Sequence, residues 1–339
     1  LPRARRLMLW RTVMPRDYTH QDYVACLPEP FRQRLAAAEP ETTWWPWRDT
    51  TLHIARQRNS AAQARLMILH GAGGHSAALW PIAALAAELG YEVLAPDLPG
   101  YGRTRVPNPG AVRYPDWVDC VADLLAAENA ADSRPLVLAG ASIGGMLAYS
   151  AAARAGGVAT LVVTCLLDPR DPVTWPALSR WGAWTVALAR QVLGLSSRLT
   201  DNLRVPIRWL VPMTRIANDP VLARICTTDA RGGGSRIALG FLRSYLQSPP
   251  AAEPEAFQGP PVVLAHPAQD RWTPPAMSLG FFQRIAAPKR YVPLPHGGHF
   301  PIEPPALREL RALLEKLLGD LSAATAPASR ASAASVKPT

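Results

Sequence analysis

The sequence predicts an α/β protein: a mostly parallel, doubly wound sheet with a helical cap inserted after the sixth strand. Short apolar runs of strand formers alternate with segments of helical periodicity over residues 51–166. The alternation breaks off over residues 168–258, which are rich in Trp and Pro, and resumes over residues 261–318. Strands separated by helices need crossover connections, and crossovers place helices on both faces of a parallel sheet. An interrupted alternation is what an insertion between two strands leaves behind.

Residues 1–50 read as an N-terminal arm and extension. Arg3, Arg5, Arg6 and Arg11 flank Leu7-Met8-Leu9-Trp10, an apolar group shorter than the roughly 7–15 residues of a signal-peptide core. A disordered arm is expected there, with Met14 as the natural start and residues 1–13 as upstream translation. A helix follows over residues 31–38, then an aromatic knot, Trp44-Trp45-Pro46-Trp47, expected to cover a sheet edge, with lining a mouth as the alternative. The first part of the core, residues 51–167, begins with an edge strand over 51–57 and a short apolar strand over 65–69. Leu79, Ile82, Leu85, Ala86 and Leu89 then recur at helical spacing within 76–89. The expected order continues with a strand at 91–95, helix 114–127, strand 135–139, helix 145–155 and strand 158–166. Residues 168–258 are read as the cap, with amphipathic helices near 176–193 and no convincing strand. The second part of the core, residues 259–319, carries strand 261–265, helix 274–286, strand 289–294 and helix 304–318. Residues 320–339, mostly Ala, Ser and Pro, have little to bury and are expected to be disordered.

Composition narrows the function. The 339 residues are 48% hydrophobic, enough for a sizeable core. No run approaches the roughly 18–20 apolar residues that span a bilayer, so a soluble, cytoplasmic protein is expected. A net charge of +10 raises the question of nucleic acid, but the positive residues are nearly all Arg and are scattered along the chain, with only Lys289, Lys316 and Lys337 as lysines. Such scatter argues against a phosphate-binding face. Cys26, Cys120, Cys165 and Cys226 show no paired spacing and read as reduced thiols. The seven histidines form no His-Glu-x-x-His and no Cys/His cluster, so no metal is expected.

The chemistry centres on Leu136-Val137-Leu138-Ala139-Gly140-Ala141-Ser142-Ile143-Gly144-Gly145. A strand stops at Gly140 and a helix takes over, so Ser142 sits on the sharp turn between them and is the expected nucleophile. Gly140 and Gly144 remove the Cβ atoms that would collide where such a turn passes close to its neighbours. The Ile143 N–H, at the start of the helix, is left unpaired and aimed where a carbonyl oxygen gains negative charge. Two later strand ends supply partners: Asp270, in His266-Pro267-Ala268-Gln269-Asp270, and His299, in His296-Gly297-Gly298-His299-Phe300. Catalytic groups of open α/β sheets gather at the carboxyl ends of strands.

These residues resemble the serine hydrolases of the α/β-hydrolase fold. The likeness lies in His70-Gly71, in Pro96-Asp97-Leu98-Pro99-Gly100-Tyr101-Gly102, in the serine turn, in Asp270 and in Gly298-His299-Phe300. It implies a catalytic set Ser142, His299 and Asp270, in which His299 takes the proton of Ser142 and Asp270 holds the tautomer of His299. The second oxyanion donor is expected from the loop after His70-Gly71: the N–H of Ala72, with that of Gly73 as the alternative. His296 stands as the alternative base and Asp168, at the end of the preceding strand, as the alternative acid. His70 is expected to order the loop rather than transfer protons. The resemblance implies no cofactor and a small-molecule ester-type substrate; thioesters, amides, lactones and carbon–carbon bonds remain open, and a binding protein of the same fold with little turnover is the reading from another class.

Two further stretches are set aside. Gly71-Ala72-Gly73-Gly74-His75-Ser76 has Ser76 where a dinucleotide loop has its last Gly or Ala, and no acidic residue ends the next strand at the right offset. Arg231-Gly232-Gly233-Gly234-Ser235-Arg236 lacks the Lys-Ser/Thr of a phosphate loop and reads as a cap hinge or a simple turn.

Overall fold

The structure, a computed structural model, describes residues 15–171, 174 and 200–325. The basic arm, the stretch 176–193 where amphipathic helices are expected, Trp175, Trp181 and Trp184, and the tail beyond residue 325 lie outside the described residues.

Eight strands form one sheet in the order β1-β2-β4-β3-β5-β6-β9-β10. They are β1 (Glu41–Trp47), β2 (Thr50–Gln57), β3 (Arg65–Leu69), β4 (Glu92–Pro96), β5 (Leu136–Gly140), β6 (Thr160–Val163), β9 (Val262–Pro267) and β10 (Lys289–Leu294). β2 is antiparallel to both β1 and β4, and every other pairing is parallel. β3, β4 and β9 are buried along their whole length, as strands covered on both faces must be.

One face packs on α4 (Tyr114–Ala131), α5 (Ile143–Ala155), α8 (Leu239–Gln247) and α9 (Ala276–Arg284), through Leu69, Leu138, Val163 and Leu264 of the strands. The other face packs on α1 (His20–Val24), α2 (Phe31–Leu35), α3 (Ser76–Glu88) and α10 (Pro304–Thr325), through Leu66, Ile68, Val137 and Val162. The alternation of these strand residues between the two clusters follows from the two-residue period of a strand. α10 buries Ala306, Leu307, Leu310, Leu313 and Leu314, a stripe at helical spacing.

Several expectations need correction. Residues 44–47 are not a knot but the end of β1, so residues 41–50 belong to the sheet rather than to the extension. Pro46 is tolerated because β1 is an edge strand that pairs only with β2. Counting β1 also makes Thr160–Val163 the sixth strand, as expected. α10 runs on to Thr325, beyond the expected boundary at residue 319, because Leu317, Leu318 and Leu321 continue its apolar stripe. The segment between β6 and β9 does contain strands: β7 (Arg204–Pro206) and β8 (Arg236–Ala238) pair antiparallel, joined through α6 (Ile207–Leu210) and α7 (Pro220–Thr228). Strands of three residues carry too little periodicity to be read from sequence.

This inserted segment is fastened to the rest of the molecule by Asp229, which is fully buried. Its carboxylate accepts from the Tyr23 hydroxyl at 2.7 Å, meets His75 Nε2 at 2.9 Å and accepts from the Arg231 amide at 2.9 Å. Residues 231–235 are therefore a packed turn rather than a hinge, with the amides of Gly232 and Gly234 both donating to the Asp229 carbonyl.

Candidate active site

The strand order fixes where the site lies. The chain leaves β3 toward β4 on one side and returns to β5 on the other, so the crevice above the ends of β3 and β5 is the switch point where ligands of open α/β sheets bind. β3 ends in the His70–Gly71 loop and β5 ends in the Ser142 turn.

Ser142 has φ 57° and ψ −128°, a left-handed conformation that strains a residue with a side chain. The surroundings hold it there. The Ser142 amide donates to Thr164 Oγ1 at 3.0 Å, and the Ala141 amide donates to the Leu69 carbonyl at 2.9 Å. A Cβ on Gly144 would lie 2.6 Å from the Leu69 carbonyl oxygen and 2.7 Å from that of His70, and one on Gly140 would collide with the Gly144 backbone. Both glycines are thus where close approach demands them. Ile143 opens α5, where the first amides have no intrahelical acceptor. The backbone of Gly71 runs against this turn: a Cβ there would be 3.2 Å from the Ile143 nitrogen. Ala72 is the next residue in that loop. The Gly73 amide lies by the Tyr101 hydroxyl, without a hydrogen bond of normal geometry.

Asp270 and His299 come together from the loops after β9 and β10. His299 Nδ1 is 2.8 Å from Asp270 Oδ2. Asp270 also accepts from the amides of Trp272 and Thr273 at 2.8 Å each and from the Thr273 hydroxyl at 2.7 Å. Burial alone would push its carboxyl up, but the facing His299 and these donors outweigh it and hold it at about 2, so Asp270 is an anion. His299 Nε2 is buried and has no hydrogen-bond partner among the described residues. The Trp272 ring tilts over the imidazole, with centroids 4.8 Å apart.

The alternatives are placed elsewhere. Asp168 is held by the Arg170 guanidinium at 2.8 Å, and Arg170 also binds Glu253. His296 is exposed, with its Nδ1 3.2 Å from Gln269 Nε2. His70 is fully buried: its Nε2 accepts from the Leu98 amide at 2.9 Å, so its proton is on Nδ1, which donates to the Gly71 carbonyl at 2.7 Å. Burial lowers this histidine to about 4, in keeping with a neutral brace for the loop.

Thr164 and Thr273, which buttress the serine turn and the Asp–His pair, escaped the sequence reading. The spacing Asp270-Arg271-Trp272-Thr273 is a local signal for a carboxylate bonding amides two and three residues on. The partner of Thr164 is set only by the pairing of β5 with β6. One cluster of metal-ligand types occurs among the described residues: atoms of Cys165, His266 and Asp270 lie within 4.8 Å of one another. Burial pushes the Cys165 thiol up to about 12, which leaves it protonated, and a thiol binds metal as thiolate. All four cysteines are free. The dinucleotide-like loop after β3 aims its helix N-terminus at a side chain of the protein: the Ser76 amide donates to Asp97 at 2.6 Å.

Ser142, His299, Gly71 and Ala72 line one cavity of ≈ 120 Å³. Ile216 and Cys226 of the inserted segment also line it, and the Phe300 amide donates to the Ile216 carbonyl at 2.8 Å. The rest of its wall is almost wholly carbon. No helix among the described residues is long and apolar enough to cross a membrane.

Comparison with known proteins gives three results. Residues 66–311 match the alpha/beta hydrolase family. The chain is 33% identical over 116 residues to protein phosphatase methylesterase 1 of Mus musculus and 31% identical to that of Homo sapiens. Those stretches cover 34% of this chain and 30% of either relative, so the chain spans under a third of their length. In fold it is similar to the monoacylglycerol lipase of Paleococcus ferrophilus, with a TM-score of 0.62 and 21% identity over 80% of this chain and 99% of that one. It is similar also to a soluble variant of monoglyceride lipase from Saccharomyces cerevisiae, with a TM-score of 0.68 and 16% identity over 87% and 99% of the two chains.

Proposed function

Because this chain belongs to the alpha/beta hydrolase family, we propose that it is a serine hydrolase that cleaves a carboxylic ester of a small, largely apolar substrate through an acyl-enzyme on Ser142. The observation that carries the reading is His299: its Nδ1 is tied to an ionised Asp270, and its Nε2 is left without a partner beside a cavity that Ser142 also lines.

In this reading His299 Nε2 takes the Ser142 proton as Oγ attacks the ester carbon. The carbonyl oxygen becomes an oxyanion facing the amides of Ile143 and Ala72. Collapse breaks the bond to the alcohol, which leaves with the proton from His299 and leaves an acyl ester on Ser142. Water then gives a proton to His299, attacks the acyl carbon, and releases the acid as Ser142 recovers its proton. Asp270 stays ionised throughout and stabilises the imidazolium. The carbon-lined cavity supports an apolar substrate, and the methylesterase and lipase names of the similar proteins agree with an ester. Residues 41–167 and 259–325 would make the hydrolase core and residues 168–258 its cap.

Labelling with a fluorophosphonate tests the proposal. One adduct is expected, on Ser142, together with turnover of p-nitrophenyl acetate that disappears in both respects in Ser142→Ala. Folded protein that neither labels nor turns over any ester would overturn it in favour of a ligand-binding role.

A further inference from the structure

We propose that the cavity beneath Ser142 is a tunnel for the acyl chain, running down the α3/α10 face of the sheet and selecting acyl groups of medium length; the assignment rests on the ester-hydrolase reading above. Its floor is a row of side chains on neighbouring strands: Ile68 is paired with Ala139, and Ala139 with Val162. Ala139, three residues before the serine, is the smallest of the three and leaves a gap between two branched neighbours. Leu66 carries the floor one step deeper, and Ile82 of α3 with Leu310 and Leu314 of α10 form the opposite wall. The imidazole and hydroxyl groups of the lining, on His70, Ser142, Thr164 and His299, all belong to the upper end.

Length and volume agree on the occupant. From His70 to Leu66 the strand descends four residues, or ~13 Å, which an extended hydrocarbon spans with about ten carbons. The ≈ 120 Å³ of open space is several times the ~10–15 Å³ that admits one water-sized group, room for a chain rather than for a single small group. The occupant is the acid rather than the alcohol because of the order of release. An alcohol lodged below Ser142 would be sealed in by the acyl-enzyme it had just formed, whereas an acyl chain stays until water frees it.

The test is a chain-length series of p-nitrophenyl esters, from acetate to palmitate, run beside acetates of alcohols of increasing length. For the natural protein kcat/KM is expected to rise by about three- to fourfold per carbon of the acid, and to fall once the acid exceeds about ten to twelve carbons, the alcohol series staying flat. Ala139→Leu puts three further carbons into the tunnel, so the decanoate-to-butyrate ratio is expected to fall on the order of fiftyfold. Ile82→Phe, on the opposite wall, provides the same readout should Ala139→Leu not fold, folding being checked by circular dichroism and thermal midpoint. An unchanged ratio in a folded variant, or a length dependence that follows the alcohol, overturns the tunnel. Fluorophosphonate labelling tells the two failures apart: labelled Ser142 with an unchanged ratio removes the tunnel alone, and unlabelled Ser142 removes the ester reading with it.

Discussion

At His70 the hydrogen bonds decide the protonation state. Its Nε2 accepts from the Leu98 amide, and a proton there would cost that bond inside a fully buried site. Burial therefore lowers its pKa from 6.5 to about 4, which means the unfolded chain binds the proton first as pH falls. The stabilisation from His70 is complete above about pH 6.5 and is lost as pH drops toward about 4. The urea midpoint is expected to decline over that window, and His70→Asn to flatten the decline. Asp270, held at about 2, behaves similarly at lower pH: its contribution is full above about pH 4 and disappears as pH falls toward 2. Asp270→Asn should fold and lose kcat by about 10⁴-fold, because an amide leaves His299 in the wrong tautomer; p-nitrophenyl acetate turnover reads this, and a loss of that size in Asp168→Asn alone would contradict the assignment. The sequence singles out Ser142, Asp270 and His299 by residue type at strand ends, and the fold brings Asp270 to His299 and sets His299 and Ser142 on one cavity. Thr164 and Thr273 could not, since a hydroxyl's partner depends on packing between distant segments.

Among the elements, the contact between the first turn of α5 and the end of β3 is the tightest point around the site. A methyl group on Gly144 would meet two backbone carbonyls, neither of which can rotate away. Gly144→Ala is expected to cost more than ~3 kcal/mol of stability and to displace Ser142. Gly280 in α9 is the counter-case, since a Cβ there meets nothing within 4 Å; Gly280→Ala should stabilise by roughly 0.5–1 kcal/mol. Thermal and urea unfolding of both variants check the pair. α3, with its helical spacing, and β3, a short apolar run that stops at a Gly-rich loop, were legible almost to the residue. β1 was not, because a proline within three tryptophans masks a strand that only an edge position permits, and neither were β7 and β8, where pairing rather than local pattern creates the strand.

Across the whole molecule, Asp229 joins parts that the sequence separates widely. Tyr23 belongs to the N-terminal extension, His75 directly precedes α3 at the end of the loop that carries Ala72, and Asp229 lies in the inserted segment. Burial keeps Tyr23 protonated, so it remains a donor. Asp229→Ala would strand two buried polar side chains and is expected to cost about 3 kcal/mol, read as a lower urea midpoint. Tyr23→Phe should lower it by a smaller amount. No local pattern announces this junction, because each residue alone reads as an ordinary polar side chain. It also sets how the protein can be shortened. The sheet starts at Glu41, and trimming the chain to that point would look harmless. Such a fragment would part with Tyr23, loosen the grip on Asp229, slacken the loop that bears Ala72 and, without α1 and α2, uncover part of one face of the sheet, so the missing residues would be noticed as a lower urea midpoint and a loss of turnover together.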